Sequence, residues 1–154
     1  MPSIPYQQVL QDFEKQLRHH GRRMQPPCSQ EELVRLRLGA KQELGSDIPD
    51  PHVDLLRWHN GLTWNGLTIY ASETSLIAGR ADRFIAGFVE SNKLFQQGVP
   101  ELVDYLIFAD SEFYFYAYDK KNNEYVRCDR ISLEKYETFS SFEDMISSAL
   151  LSHL

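Results

Sequence analysis

The chain has 154 residues, 42% hydrophobic and 25% charged, with a formal charge of −6, a profile that fits one globular domain and excludes a disordered or fibrous chain. No apolar run reaches the roughly 18 to 20 residues that a membrane-crossing helix requires. The opening Met-Pro-Ser-Ile-Pro-Tyr-Gln-Gln lacks the basic region and apolar stretch of a secretory signal, so a cytoplasmic protein with no membrane contact is expected.

In chain order, the first helix is expected to start near Pro5, which suits a first helical position. It carries Tyr6, Val9, Leu10, Phe13 and Leu17 at helical spacing and ends near His20-Gly21. Arg22 to Pro27 is a basic, proline-containing link. Ser29 and Glu32 then form a capping-box pattern ahead of Leu33, Leu36, Ala40 and Leu44, with Gly45 as the stop. Pro49-Asp50-Pro51 opens a short third helix through Val53, Leu55, Leu56 and Trp58, closing at Asn60-Gly61. Asn65-Gly66 marks a tight turn, and Leu67 to Ala71 alternates as a strand. Glu73 to Gly98 is mixed, since Phe84, Ile85, Phe88 and Val89 suggest helical turns that Gly79 and Gly87 weaken.

Asp104 to Arg130 predicts three strands in succession and forms the scaffold of the domain. The middle strand alternates Phe113, Phe115 and Ala117 with Tyr114, Tyr116 and Tyr118, so both faces of the sheet are aromatic. A helix layer is expected over the phenylalanines, with the tyrosine face either covered as well or left half wet for a partner. Asp110-Ser111 and Lys120 to Asn123 supply the turns. Ser140 with Glu143 is a second capping-box pattern, leading a terminal helix that carries Phe142, Met145, Ile146, Ala149 and Leu150 along one stripe.

Residues 1 to 44 hold seven Lys+Arg against five Asp+Glu, whereas residues 45 to 154 hold nine against seventeen. The sheet-bearing part is therefore acidic, which argues against nucleic acid as its ligand, because phosphate contacts need clustered basic side chains. It suits a basic partner. No nucleophile elbow, zinc-protease pattern, phosphate-binding loop or dinucleotide fingerprint is present. His59 is expected as a helix-end residue, and His19, His20, His52 and His153 show no zinc spacing. Asp110 and Glu112 with one serine fall short of the six to eight oxygens calcium requires. Cys28 and Cys128 are expected as free thiols. No catalytic residue, cofactor or metal is assigned.

Several blocks in order carry a family likeness: Trp58-His59-Asn60-Gly61, Gly66 to Tyr70, Tyr105 to Ser111, Tyr116 to Asp119 and Phe139 to Met145. Together they resemble the SMI1/KNR4 family, also called the SUKH superfamily. The stretch Asp82 to Asn92, followed by Cys128-Asp129-Arg130, looks most like its bacterial YrhA-type branch. Ala109 departs from the pattern, since relatives often have glycine before the aspartate. The resemblance covers Gly45 to the C-terminus, with 1 to 44 an N-terminal helical pair in the same single domain.

This resemblance implies an α+β fold with helices packed on a largely antiparallel sheet of about four to six strands. It also implies a non-enzymatic binding function, either as an immunity protein that neutralises a toxin, nucleases included, or as a regulatory scaffold with an endogenous partner. Monomer and homodimer both stay open. In the immunity case, Asp104, Asp110, Glu112, Asp119, Glu124 and Asp129 would draw in a basic toxin face. Trp64, Tyr70, Tyr114 and Tyr116 would supply aromatic contacts.

Overall fold

The computed structural model describes residues 5–154. Residues 1–4, on which the expectation of no secretory signal partly rests, lie outside the described residues. Helix α1 (Tyr6–His19) starts after Pro5 and buries the whole predicted stripe of Tyr6, Val9, Leu10, Phe13 and Leu17. Helix α2 (Gln30–Gly39) opens on a complete capping box: the Glu32 amide donates to Ser29 Oγ (3.1 Å) and the Ser29 amide donates to Glu32 Oε1 (3.0 Å). It continues as a π turn over Ala40–Leu44 and stops at Gly45, whose φ of +64° lies in the left-handed region. Helix α3 (Asp50–Trp58) follows.

Strands β1 (Leu62–Trp64) and β2 (Leu67–Ile69) form a hairpin across Asn65 and Gly66, whose φ values of +52° and +86° give the turn hand that matches strand twist. The strand expected over Leu67 to Ala71 is shorter, because Ala71 leaves the sheet to bridge Gly87. The mixed stretch resolves into a small hairpin, β3 (Ser75–Leu76) with β4 (Phe84–Ile85), and then helix α4 (Phe88–Gly98). Its glycines do not break the helix. Gly87 caps it where a Cβ would lie 2.5 Å from the Thr74 amide nitrogen, leaving no room for a side chain.

A 3₁₀ turn over Pro100–Asp104 leads into β5 (Tyr105–Asp110), β6 (Tyr114–Asp119), β7 (Glu124–Asp129) and β8 (Lys135–Phe139). With β1 and β2 these make a six-stranded antiparallel sheet in the order β1-β2-β5-β6-β7-β8. The alternation expected from Phe113 starts one residue later. Phe113 sits in the turn, 64% exposed, and its carbonyl accepts the Arg130 amide at 2.9 Å. Ala109 is accommodated without positive φ, beside an irregularity in the pairing between Ile107 and Ala109.

Both faces of the central strands are covered. Helix α5 (Phe142–Leu151) lies on the tyrosine side, where the Phe142 ring is 5.1 Å from Phe108 and 5.9 Å from Tyr125, and α1 packs on α5. Its cap is Ser141, whose hydroxyl accepts the Asp144 amide, one residue beyond the predicted Ser140. On the phenylalanine side, Phe95 of α4 and Tyr105 each lie 6.0 Å from Phe115. Beyond Tyr70, β2 no longer pairs with β5, and the Asn92 side chain takes its place: Nδ2 donates to the Ile107 carbonyl and Oδ1 accepts the Ile107 amide, both at 2.8 Å. This side-chain bond pins α4 beside the sheet and so positions the cleft described below.

His52 lies at the centre of the core, 4.8 Å from the Phe108 ring, 5.0 Å from Phe88 and 5.8 Å from Phe142. Neither ring nitrogen has a hydrogen-bond partner among the described residues, and burial lowers its pKa from 6.5 to about 3. Cys28 and Cys128 are buried free thiols, and burial pushes Cys128 up to about 11.

Candidate functional site

The turn between β5 and β6 is short and tied down. The Ser111 amide donates to the Tyr114 carbonyl (2.8 Å), and the Tyr114 amide donates to Ser111 Oγ (3.2 Å). On one side of it lies a cleft of about 430 Å³ bordered by Thr68, Tyr70, Ser91, Leu94, Phe95, Asp110 and Arg130. Strands β2 and β5 place Tyr70 beside Asp110, α4 brings Ser91, Leu94 and Phe95, and the chain leaving β7 brings Arg130. Residues scattered from 68 to 130 meet here only because the sheet is antiparallel and Asn92 anchors α4.

The polar centre of this cleft is held together internally. The Tyr70 hydroxyl donates to Asp110 Oδ2. Arg130 Nη1 donates to the Ser111 carbonyl at 2.8 Å and stands 3.6 Å from Asp110 Oδ1, while the guanidinium carbon lies 5.6 Å from the centre of the Phe95 ring. Burial raises the Asp110 carboxyl above its ordinary range, and the Tyr70 bond and the Arg130 charge oppose that rise. Burial and the neighbouring Asp110 charge push the Tyr70 phenol far up, so it is a permanent donor.

A second cleft of about 280 Å³ opens on the other side of the same turn, bordered by Glu112, Phe113, Tyr114, Tyr116, Arg127 and His153, among others. Arg127 covers the Tyr114 ring at 4.5 Å, and Tyr136 meets that ring edge-on at 5.5 Å. Tyr116 Oη and Arg127 Nε are both buried and have no hydrogen-bond partner among the described residues.

Large apolar side chains stand in solvent on the segments that border the two clefts. Leu94 on the wall of the first cleft is 68% exposed and Phe84, two residues before the lining Ala86, is 65% exposed. Phe113 is 64% exposed in the turn, and Ile131, next to Arg130, is 95% exposed.

The residues expected to meet a partner fall into separate groups. Tyr70 and Asp110 share the first cleft, and Glu112, Tyr114 and Tyr116 border the second, with the turn between them. Asp104, Asp119 and Glu124 lie at the opposite end of the strands. There Asp119 and Glu124 both bind Lys135 Nζ, at 2.5 and 2.9 Å, and Asp104 is 3.9 Å from Lys121 Nζ. Asp129 accepts the amides of Ile131 and Ser132, each at 2.8 Å, and so holds a turn. Trp64 is half-buried, with Nε1 donating to Gln16 Oε1 at 3.3 Å and His20 and Arg22 against its ring. The six acids therefore do not form one free surface.

Arg130, Ser91, Phe95 and the exposed apolar group are absent from the sequence-based candidates. Of these, Ile131 falls outside every periodic stripe in the sequence, whereas Phe84 and Phe113 lie in stretches whose pattern reads as helical turns and a strand face, so only the structure shows them exposed. Among the described residues, no three His, Cys, Asp or Glu side chains gather as a metal site, and no helix is long and apolar enough to cross a membrane.

Helices packed on a six-stranded antiparallel sheet, with clefts flanking a turn at one end, define a small α+β domain. Its sequence places it more closely. The model of the SMI1 / KNR4 family (SUKH-1) matches residues 27–148, and the chain belongs to that family. The match begins ahead of α2 and takes in every strand of the sheet. No curated protein matches the chain.

Proposed function

We propose that the chain is a non-enzymatic protein-binding module acting as an immunity protein: it neutralises a toxin domain of a bacterial contact-dependent or polymorphic toxin system by covering the toxin's working surface. Family membership supports a role in protein–protein contact. The observation that carries the proposal is the set of exposed apolar side chains at this end of the sheet: Leu94 on the wall of the first cleft, Phe113 on the border of the second, and Phe84 and Ile131 in the segments that supply Ala86 and Arg130. Protein interfaces take their anchors from large apolar and aromatic side chains at the centre of the contact, with polar groups around them. The Asp82 to Asn92 block supports assignment to the YrhA-type branch, and it contributes Phe84, Ala86 and Ser91 to this surface.

Charge has a smaller part than the sequence suggests. Asp119 and Glu124 are occupied by Lys135, and Asp129 holds a turn. Long-range attraction of a basic toxin face then rests on Glu112 and the overall charge of −6, whereas affinity comes from the exposed apolar side chains that the partner buries. The test is co-expression with the toxin domain of a neighbouring gene. Growth should be protected, and Phe113→Asp together with Leu94→Asp should abolish protection and complex formation while the protein stays folded. A fully protective double variant would overturn the assignment of this surface. Capture of an endogenous protein, with no protection against any toxin, would replace immunity by a regulatory scaffold.

A further inference from the structure

The first cleft has polar capacity that the chain itself leaves unused. Asp110 Oδ2 accepts the Tyr70 hydroxyl, but among the described residues Oδ1 accepts no hydrogen bond, and Arg130 Nη1, 3.6 Å away, is committed to the Ser111 carbonyl. The Nε and Nη2 groups of Arg130 make no hydrogen bond among the described residues, although the guanidinium is fixed between Ser111 and the Phe95 ring. Ser91, only 7% exposed, likewise makes no side-chain hydrogen bond among the described residues. One unfilled acceptor, one forked donor and one hydroxyl therefore border the same opening, with Leu94 and Phe95 as its apolar wall.

The guest's chemistry follows from the two opposed charges. A cation gains from Asp110 and is repelled by Arg130 a few ångströms away, and an anion meets the reverse. Each would also give up its own hydration on entering a half-buried cleft. A neutral group that carries a donor and an acceptor on one short arm serves both charges and loses far less hydration. A primary carboxamide is such a group, with an N–H for Asp110 Oδ1 and a carbonyl for Arg130. Its aliphatic stem would lie on Leu94 and Phe95.

Taking the chain as a protein-binding module, we infer that this cleft anchors a glutamine or asparagine side chain of the protein partner, with Asp110 and Arg130 as the matched acceptor and donor. A site built to hydrogen-bond a polar group rejects guests that leave its own groups unpaired, so the pair sets specificity more than total affinity.

The probe is a capped single residue titrated into the isotope-labelled chain and followed by amide chemical shifts. N-acetylglutamine methylamide should produce saturable shifts at Ser91, Phe95, Asp110 and Arg130, and should bind about fivefold or more tightly than the capped glutamate or capped lysine analogues. The charge-altered variants sharpen this. Arg130→Gln should swing preference to the capped lysine, and Asp110→Asn should swing it to the capped glutamate. Each variant is informative alone if the other fails to fold. Equal or better binding of a charged analogue to the unaltered chain would overturn the inference, as would shifts absent from these residues or unaffected by either variant. Because the probe reads the cleft without a toxin, its failure beside intact toxin binding removes only the anchor. Loss of toxin binding with the probe still seated removes only the immunity function.

Discussion

Asp110 and Asp119 close neighbouring strands at opposite ends of the β5–β6 hairpin, and the two carboxylates behave in opposite ways. Asp119 is almost fully buried yet surrounded by donors. It accepts the amides of Lys121 and Asn122, the Asn122 side chain and Lys135 Nζ, so that, although burial opposes it, its pKa is held below the ordinary range. Asp110 has one hydrogen bond and one long ion pair, and burial dominates, raising its pKa. Burial alone therefore says little about a buried acid. What separates a structural carboxylate from one available to a partner is the number of donors the fold already gives it.

That contrast breaks most visibly at Asp119. Replacing it with alanine strips four donors of their acceptor and should cost about 3 kcal/mol, from the typical worth of hydrogen bonds to a charged group less what Glu124 and water recover. The midpoint of thermal unfolding should fall by roughly 6 to 12 °C. Asp110→Asn should change stability at neutral pH by less than about 1 kcal/mol, since it removes a charge the site holds at a cost. The pH signs differ too. Asp119, with its depressed pKa, contributes stability above its unfolded value of 3.8 that is lost as pH falls through the folded value. Asp110, with its raised pKa, contributes most below 3.8 and loses that contribution as pH rises through its folded value. Denaturant midpoints of both variants across pH would show whether the two ends differ in this way.

His52 extends the comparison into the core, as a buried polar residue whose ring nitrogens have no hydrogen-bond partner among the described residues. Its pKa falls from 6.5 unfolded to about 3 folded, so between those values the unfolded chain binds the extra proton and folding weakens as pH drops. From pH 6.5 to pH 5 this amounts to about 2 kcal/mol. In His52→Leu that part of the acid slope should vanish, and the variant should be at least as stable as the natural chain at pH 5. An unchanged slope would mean that other groups set the acid limit.

Tyr70→Phe tests the cleft itself. It removes the one hydrogen bond that Asp110 accepts and should cost about 1.5 kcal/mol, because a buried carboxylate is left with a loose ion pair alone. The Asp110 pKa, followed by carboxyl carbon shifts, should rise further. If stability and titration both stay unchanged, water or Arg130 has replaced the phenol, and Asp110 is less starved of donors than its geometry indicates.

Local signals carried most of the fold. Pro5, the Ser29–Glu32 box, Gly45 and Asn65-Gly66 act within a few residues of themselves, and each does in the structure what its chemistry dictates. The α4 region is hidden in the sequence because Gly87 lies at the helix N-cap and Gly79 in a turn ahead of it, where composition alone counts both against a helix. Strand β8 was hidden because Lys135 to Phe139 is largely exposed and lacks an apolar face. The cleft was half legible: Tyr70 and Asp110 were named, but Arg130 and Ser91 reach them only through strand order and the Asn92 bond to Ile107. Acidic residues counted along the chain could not show that Lys135 already neutralises two of them.

The smallest expected effect on stability is the most useful for separating scaffold from surface. Phe113 is 64% exposed and Ile131 is 95% exposed, so neither contributes much buried area to the fold. Phe113→Ser and Ile131→Ser should each move stability by no more than about 0.5 kcal/mol. An exposed apolar side chain kept at a surface for contact nevertheless loses its partner when cut back, and a hot-spot residue of this kind accounts for about 2 kcal/mol or more of binding. Measured side by side, unfolding midpoints should stay level while the dissociation constant for the toxin domain rises by about thirtyfold. Equal losses in both would show that Phe113 and Ile131 brace the turn instead, and that recognition belongs to another part of the molecule.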